Sequence, residues 1–211
     1  MASATGGRRR LPATERRAGI VDAAGAVFGR RGFGSASVGA IARAAGVNVS
    51  VLYDHFPSKE ALHAAVIAEH GERLIAHQRE RIASTPPGRA RLRAAHDSLF
   101  EWAEENPEIA RVVFRDAAGP PEVVEHQRAF AVRATRAIAG YLLGTPTRDA
   151  DPHPPADVVV VAEFLRGGTN ALATWWLDHP ERIDRRQLVD RLTDLTWAGL
   201  AALGEGGALA Q

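Results

Sequence analysis

The chain of 211 residues contains no cysteine. Disulfide bridges, thiolate catalysis and cysteine-ligated zinc sites are therefore excluded. No apolar run approaches the roughly 18 residues that a membrane-spanning helix needs. The N-terminus carries arginines but lacks the apolar segment of a secretory signal. These absences predict a cytoplasmic protein with no membrane partner.

The sequence also lacks the motifs of common catalytic sites. It has no Walker loop, no Gly-x-Ser-x-Gly and no His-Glu-x-x-His. Asp149, Asp151 and His153 lie close together in a proline-rich stretch, but so loose a set is not expected to hold a metal. We therefore expect no enzyme activity, no metal site and no cofactor.

Three histidines, His63, His70 and His77, recur at seven-residue intervals, which brings them to roughly one face of a helix. At 1.5 Å per residue the set spans about 21 Å, so one metal ion cannot bind all three. We interpret them as solvated or partly buried side chains. A pH response through His63 or His70 is the alternative.

The charge is unevenly distributed along the chain. Residues 1–60 hold nine basic and four acidic residues, whereas the remainder holds 17 basic and 21 acidic residues. A basic N-terminal third on a mildly acidic body suits a surface that faces a polyanion. An ordinary soluble surface with a basic tail would give the same balance, so charge alone does not decide.

Two short helices are predicted within residues 37–56. Ser37 is suited to cap the first, because its hydroxyl can accept an orphan backbone N–H. Gly46 stands where a helix end favours a left-handed residue, and Asn48 is suited to cap the second helix. Phe56 precedes a proline and ends that helix. Such a pair is a helix-turn-helix, whose second helix enters the DNA major groove.

The stretch contains Ile-Ala-x-x-Ala-Gly-Val, Leu-Tyr-x-His-Phe and Ser-Lys-Glu-Ala-Leu, in this order. With this spacing it resembles the DNA-binding domain of TetR-family transcriptional repressors. The similarity extends upstream over residues 20–33, and the remainder matches in helical style and length. The resemblance implies an all-α protein of about nine helices, with a three-helix helix-turn-helix domain followed by a helical ligand-binding and dimerisation domain.

The resemblance also places DNA contacts on and beside the second helix of the motif. It implies phosphate contacts for Ser37, Tyr53 and His55. It places Asn48 and Ser50 near base edges or the adjacent backbone.

Three further residues complete this candidate interface. Lys59 would add a charge at the start of the fourth helix, and Arg43 would supply a contact from the preceding helix. The sequence departs from the family pattern at Val49 and Val51, where a basic, small or hydroxyl residue is frequent. Valine cannot hydrogen-bond a base, but Val49 can touch a thymine methyl group.

Composition breaks divide the chain. Residues 1–13 are predicted to form a disordered arm, whose arginines either reach into a minor groove or remain a solvated tail. The helix-turn-helix domain follows at 14–60, with Thr14 as the cap of its first helix, which ends at Arg31-Gly32. Residues 61–83 form a connecting helix. Beyond the Pro-Pro-Gly break, residues 84–211 form the domain for effector binding and dimerisation.

Five helices are predicted in that domain, at 89–105, 107–117, 121–143, 157–178 and 182–203. The valine run after Asp157 suits a strand, but no partner strand is available, so we assign it to the eighth helix. The ninth helix is expected to present Leu188, Leu192, Leu195 and Gly199 along one face.

A ligand pocket is expected among these helices, since pockets are mostly apolar with a few polar groups. Each aromatic side chain, taken alone, is more often part of the core. A small apolar or aromatic effector is the expected ligand. The candidate pocket residues are His96, Phe100, Phe114, Phe130, Asn170, Thr174 and Trp175.

The resemblance further implies a homodimer in which the last two helices pair with their copies. Small residues at Gly167, Gly168, Ala171 and Ala173 permit close packing there. The alternative is that both helices close the monomer's own core. The sequence thus predicts a homodimeric repressor that binds a palindromic double-stranded DNA operator and is released by a small-molecule effector. A DNA-binding regulator without a ligand, or a relative that binds no DNA, are the alternatives.

Overall fold

In the computed structural model, residues 12–115, 119–144 and 152–205 are described, and every regular element within these ranges is an α-helix. The prediction of an all-α fold with about nine helices is confirmed. In chain order the helices are α1 (Ala13–Ser35), α2 (Val38–Ala45), α3 (Val49–His55), α4 (Lys59–Ala83), α5 (Arg89–Glu105), α6 (Pro107–Phe114), α7 (Pro121–Leu142), α8 (Ala156–Asp178) and α9 (Arg185–Glu205).

The predicted arm, apart from its last two residues, lies outside the described ranges, as do Asp149 and Asp151. The predicted end of the sixth helix at residue 117 also lies outside them. The valine run is helical, as expected. None of the helices that the structure describes is long and apolar enough to cross a bilayer.

Two helix starts differ from prediction because of their caps. Thr14 was expected to cap α1, but Pro12 occupies the N-cap position, and Thr14 lies inside the helix. The start of α9 is Arg185 rather than Arg182. There the carboxylate of Asp184 accepts a hydrogen bond of 2.9 Å from the backbone N–H of Gln187, which is the contact of an N-cap.

The first helix is interrupted near its end by Gly32, whose φ of 72° and ψ of 162° are not helical. This positive φ is readily adopted by glycine, and it agrees with the predicted end at Arg31-Gly32. Just beyond it, the ring of Phe33 stacks on Phe28 with centroids 5.7 Å apart. The chain is thereby folded back toward α2.

One hydrophobic core connects the helix-turn-helix with the rest of the molecule. It contains Ile20, Ile41 and Leu52 from the first three helices, together with Phe100 and Val189 from α5 and α9. Within it α1 packs on α2, α4 and α6, while α5 packs on α9 and α7 on α8. The helix-turn-helix is therefore seated directly on the C-terminal helices rather than tethered by a linker.

Candidate nucleic-acid interface and ligand cavity

The turn between α2 and α3 is built as the sequence predicts. The Ser37 hydroxyl accepts a hydrogen bond of 3.2 Å from the Ala40 N–H. Gly46 is left-handed, with φ 66° and ψ 30°. The Val47 N–H donates to the Ala42 carbonyl at 3.0 Å, closing the end of α2. These contacts lead into α3 after a turn of three residues, Gly46, Val47 and Asn48.

The recognition helix α3 divides its side chains between the core and the surface. Leu52 is fully buried, and Phe56, just after the helix, is nearly so. On the outside, Val49 is 41% and Tyr53 49% exposed. Asn48 occupies the N-cap position, but its side chain makes no capping hydrogen bond. Asn48, Val49, Ser50 and Tyr53 are all exposed, and all four are residues predicted from the sequence to contact DNA.

The remaining candidates of the interface differ in accessibility. Ser37 and Arg43 are exposed on the side of α2, where they extend the surface of α3. His55 is only half-buried, and its ring lies 6.4 Å from that of Phe56. The structure therefore brings an arginine, a tyrosine, a histidine and several small polar groups to one end of the molecule. Which of them contact DNA remains a prediction.

Lys59 has a role that the sequence did not indicate. Its ammonium donates hydrogen bonds to the carbonyls of Phe33 at 2.9 Å and Ala36 at 3.1 Å. It also lies 4.2 Å from the centroid of the Phe33 ring. An ammonium group has three donors, so two are used within the protein. Lys59 thus anchors the α1–α2 corner to α4, and a phosphate contact would fall to its third donor.

Arg17 was not a candidate, yet it supports the end of α3. Its guanidinium lies over the Phe56 ring at 4.9 Å and forms an ion pair with Glu69. The ion pair joins positions 52 residues apart, so no local spacing could have revealed it. Arg17 ties α1, α3 and α4 together behind the proposed DNA-facing surface.

The heptad histidines are more buried than expected. His63 lies between the rings of Phe28 and Phe33, and both His63 and His70 are at most 5% exposed. Burial lowers the pKa of His63 to about 4 and also lowers the pKa of His70. His77 instead lies 3.4 Å from a carboxylate oxygen of Glu101. Within the described ranges no group of metal-binding side chains could hold an ion.

A cavity of about 460 Å³ lies among α4, α5, α7, α8 and α9, with one side chain from α6. This is within the volume range of small-molecule sites. Four of the seven predicted pocket residues line it, namely His96, Phe114, Phe130 and Asn170. Much of the remaining wall is apolar, including Leu74, Ile75, Ile82, Leu92, Leu99, Ile138, Leu165, Trp197 and Leu200.

The other three predicted pocket residues do not line the cavity. Phe100 is fully buried in the core, with its ring edge-on to Trp176 at 5.7 Å. Thr174 donates its hydroxyl to the Asn170 carbonyl of its own helix at 3.0 Å. Trp175 is 42% exposed and stacks on His179. Helical spacing did not distinguish core, cavity and surface for these neighbouring positions.

Several polar side chains of the cavity wall were not predicted from the sequence, among them Arg91 and Arg166. Arg91 donates to the Thr85 carbonyl from Nε at 3.0 Å and from Nη2 at 2.9 Å. Arg166 donates from Nε to the Thr135 hydroxyl at 2.9 Å and pairs with Glu163. Long charged side chains near helix surfaces are normally solvated, so no pattern in the sequence indicates that these two arginines line a cavity.

His96 has a partner that was also missed. Its Nδ1 lies 3.1 Å from the hydroxyl oxygen of Thr193 on α9. His96 is 5% exposed and Thr193 fully buried. Burial lowers the pKa of His96 to about 4, so the ring is neutral near pH 7. A neutral histidine in an apolar wall can act as a hydrogen-bonding group without introducing a charge.

The last two helices expose an apolar surface, which we call the α8–α9 face. Its large side chains are Val160, Phe164 and Leu195, which are 69%, 71% and 72% exposed. The predicted face of α9 is split: Leu188 and Leu192 are buried, whereas Leu195 and Gly199 point outward. The reason is that α9 packs on α5 through a stripe of Leu188, Val189, Leu192, Thr193 and Thr196.

Comparison with known proteins places these features in a family. Residues 20–66 match the bacterial regulatory proteins of the tetR family. The transcriptional activator FasR of Mycolicibacterium smegmatis is 32% identical over 201 residues, covering 94% of this chain and 90% of FasR.

Two solved structures share the fold. A TetR-like transcriptional regulator from Rhodococcus sp. RHA1 is 27% identical, with a TM-score of 0.70 over 91% of this chain and 99% of its own. The regulator FadR of Bacillus subtilis, in complex with stearoyl-CoA, is 20% identical, with a TM-score of 0.73 over 86% and 98%. These relatives are regulators rather than enzymes. The chain therefore belongs to the TetR family of bacterial DNA-binding transcriptional regulators.

Proposed function

We propose that the protein is a homodimeric repressor that a small apolar or aromatic molecule releases from a palindromic operator. The main support for this proposal is the path of α4, which runs from the helix-turn-helix to the cavity wall. The helix begins at Lys59, which is bonded to the α1–α2 corner, and it continues to Leu74, Ile75 and Ile82 in the cavity wall. A ligand that displaces this wall therefore acts on a helix whose other end is built into the helix-turn-helix.

The same observation supports a division of the chain into three parts. Residues 14–60 read the operator, residues 61–83 connect, and the helices from residue 84 onward bind the effector and the second subunit. The division is functional rather than mechanical, since a single hydrophobic core spans all three parts.

The DNA contacts proposed for α3 follow from its exposed surface. The proposed role of the exposed Tyr53 is to donate its hydroxyl to a phosphate, while Val49 and Ser50 lie one turn earlier, next to Asn48. Phosphate contacts set affinity for any sequence, whereas contacts at base edges set preference. Ser37 and His55 are proposed as further phosphate contacts, and Arg43 as a further contact from α2.

A matched pair of substitutions tests these assignments. Tyr53→Phe should weaken binding to all DNA sequences alike, by about 1 kcal/mol, because one hydrogen bond is lost. Asn48→Ala should instead change the preference among operator variants. Both effects are read from equilibrium binding to a panel of operator sequences at fixed salt. Unchanged affinity for Tyr53→Phe, or a uniform loss for Asn48→Ala, would contradict the respective role.

The homodimer is supported by the α8–α9 face. Large apolar side chains exposed on both of the last two helices are unusual for a monomer and mark an interaction surface. A two-fold dimer presents two copies of α3, which accounts for a palindromic operator with half-sites one or more helical turns apart.

The experiment that tests the proposed function is selection of genomic DNA fragments by the purified protein at near-physiological salt. We expect a palindromic site, and we expect that ligands of the cavity lower the affinity for it. Binding that is sequence-independent and disappears as salt rises would show a non-specific basic surface instead.

A second candidate is transcriptional activation, favoured by the similarity to FasR along 94% of this chain, since FasR is an activator. The recovered operator separates the two. A reporter gene placed behind it should be expressed less when the protein is present if it represses, and more if it activates.

A further inference from the structure

His96, which lines the cavity, forms a hydrogen-bonded polar pair with Thr193. On the same face of α5, Leu92, Ala95 and Leu99 also line the cavity. The ring is therefore a polar group in largely apolar surroundings, held from behind by a hydroxyl of α9 at 3.1 Å. Polar groups buried in this way are normally hydrogen-bonded at each available atom.

The surroundings of Thr193 determine which ring nitrogen carries the proton. The Thr193 hydroxyl is fully buried, and among the residues that the structure describes its side chain hydrogen-bonds only to His96. One turn later, Thr196 shows the alternative, since its hydroxyl donates to the carbonyl of Leu192 at 2.7 Å. Because Thr193 has no such acceptor, its hydroxyl hydrogen points to Nδ1 of His96. The single ring proton then resides on Nε2.

The Nε2–H group is left for a ligand. Within residues 12–115, 119–144 and 152–205, no side chain or carbonyl accepts a hydrogen bond from it. Nε2 is not among the buried atoms that lack a partner, so it is open to the cavity that His96 lines. A molecule that fills the cavity covers this donor, and a covered donor without an acceptor is costly, so a molecule that supplies an acceptor binds better. The charge state is consistent with this, because burial keeps the ring neutral near pH 7.

We propose that the effector is an apolar molecule bearing a carbonyl oxygen, which accepts a hydrogen bond from His96 Nε2 while Thr193 fixes the ring. The proposal rests on the ligand-responsive function given above and names the chemical class of its effector. The shared chemistry is the carbonyl of a ketone, ester, thioester or acid. A hydrocarbon of the same size and shape lacks the acceptor.

The test compares butyrophenone with butylbenzene, which differ by the carbonyl group. Both are titrated against the full-length protein at pH 7.5, by displacement of the fluorescent probe N-phenyl-1-naphthylamine. Because a ketone and a hydrocarbon also differ in hydration, the quantity of interest is the ketone-to-hydrocarbon affinity ratio in each protein variant. We expect this ratio to be about fivefold higher in the wild type than in His96→Phe, the value of one net hydrogen bond.

Two threonine substitutions of equal shape supply the control. Thr193→Val removes the hydroxyl that fixes the ring, so the ratio should fall toward that of His96→Phe. Thr196→Val removes a hydroxyl from the same helix that bonds only to backbone carbonyls, and the ratio should stay at the wild-type value. Equal loss in both variants would indicate a packing effect and overturn the role of Thr193 as positioning residue.

A ratio that is the same in the wild type and in His96→Phe overturns the inference but leaves the cavity as a binding site. If neither compound displaces the dye, the inference and the ligand-responsive function are both wrong. The wild-type protein supplies an independent readout, in case a variant fails to fold. Its ¹⁵N NMR spectrum should show His96 protonated at Nε2, and a proton on Nδ1 would refute the proposed tautomer.

Discussion

The glycines of this chain occupy two opposite environments. At Gly29 of α1, an added Cβ would lie 2.0 Å from the carbonyl oxygen of Glu108, and at Gly71 of α4 it would lie 2.3 Å from the ring of Phe130. At three glycines of α8 and α9 no other part of the described chain lies within 4 Å of that position, namely Gly167, Gly168 and Gly199. Gly29 and Gly71 lie at tight contacts between helices, and we call this region the filled side. Gly167, Gly168 and Gly199 leave room on the apolar α8–α9 face, and we call this region the open side.

The filled side explains how the cavity and the helix-turn-helix are connected. At one end of α6, Glu108 lies against Gly29 of α1, and at the other end Phe114 lines the cavity. Likewise, Gly71 of α4 receives Phe130, which is also a cavity residue. Two helices thus contact both the cavity and the DNA-binding head. On the open side the described residues leave room, and we propose that a second copy of the chain packs there.

The largest effect is expected on the open side. Phe164→Asp places a charge where we propose that two copies of α8 meet, and a charge left unpaired in an apolar interface is costly. We expect dimerisation to weaken by about 4 kcal/mol, or about a thousandfold, which is typical of an interface hot spot. Sedimentation equilibrium should show monomers at concentrations where the wild type is dimeric.

Val132 supplies the matched control, since it is 50% exposed on α7 and is not one of the residues of the α8–α9 face. Val132→Asp should remain dimeric. If Phe164→Asp also remains dimeric, the open side is not the subunit interface, and the contrast between the two sets of glycines loses its functional meaning.

On the filled side, Gly29→Ala should destabilise the fold by about 3 kcal/mol, at the upper end of overpacking effects. The added methyl group meets backbone atoms of Glu108, which cannot rotate away as a side chain can. Urea unfolding at a fixed protein concentration measures the change. Gly19→Ala, in the same helix but with no atom within 4 Å, should be neutral or raise the stability by up to about 1 kcal/mol. Equal midpoints for the two variants would refute a tight α1–α6 contact.

Lowering the pH should also reduce the stability of the fold, through His63 of α4. Burial lowers the pKa of His63 from 6.5 to about 4. Between these values the unfolded chain binds more protons than the folded one, so stability falls as the pH falls. Between pH 7 and pH 5 this loss amounts to about 2 kcal/mol. Replacing His63 by leucine should remove this pH-dependent loss of stability. Urea unfolding midpoints of the variant and the wild type at pH 7 and pH 5 measure the difference. A variant that loses as much stability as the wild type would mean that His63 is protonated without cost.

The two sides also differ in how far sequence predicts them. Ser37 and Gly46 of the helix-turn-helix were predicted correctly, because a cap such as Ser37 bonds to an N–H three residues later and Gly46 adopts its conformation locally. Asn48 occupies the predicted N-cap position but makes no capping hydrogen bond. Lys59 shows the limit: its bonds reach carbonyls 26 and 23 residues away, and nothing in the local pattern distinguishes them from a phosphate. The DNA-facing surface could therefore be delimited, but not the internal contacts that hold it.

For the C-terminal helices, the hydrophobic pattern predicted where each helix lies in the sequence better than which of its sides is buried. Trp175 and Trp176 are adjacent and equally apolar, yet the first is 42% and the second 5% exposed. Leu192 and Leu195 are three residues apart, yet only Leu192 is buried. A helix with apolar residues on two sides has no unique inward face. Its orientation is set by the neighbouring helices, and here one of its two apolar sides is left uncovered by the described part of the chain.

The smallest effect is expected for Gly71→Ala, which separates the two kinds of filled contact. The added methyl group meets the Phe130 side chain rather than backbone, and the cavity of about 460 Å³ beside that ring offers space for it to move. We expect a loss of about 1 kcal/mol in unfolding free energy, well below that of Gly29→Ala. The displaced ring should also reduce the affinity for cavity ligands, as measured by displacement of N-phenyl-1-naphthylamine. A cost as large as that of Gly29→Ala would show that Phe130 is as fixed as backbone, and that the cavity wall cannot yield to a ligand without moving α4.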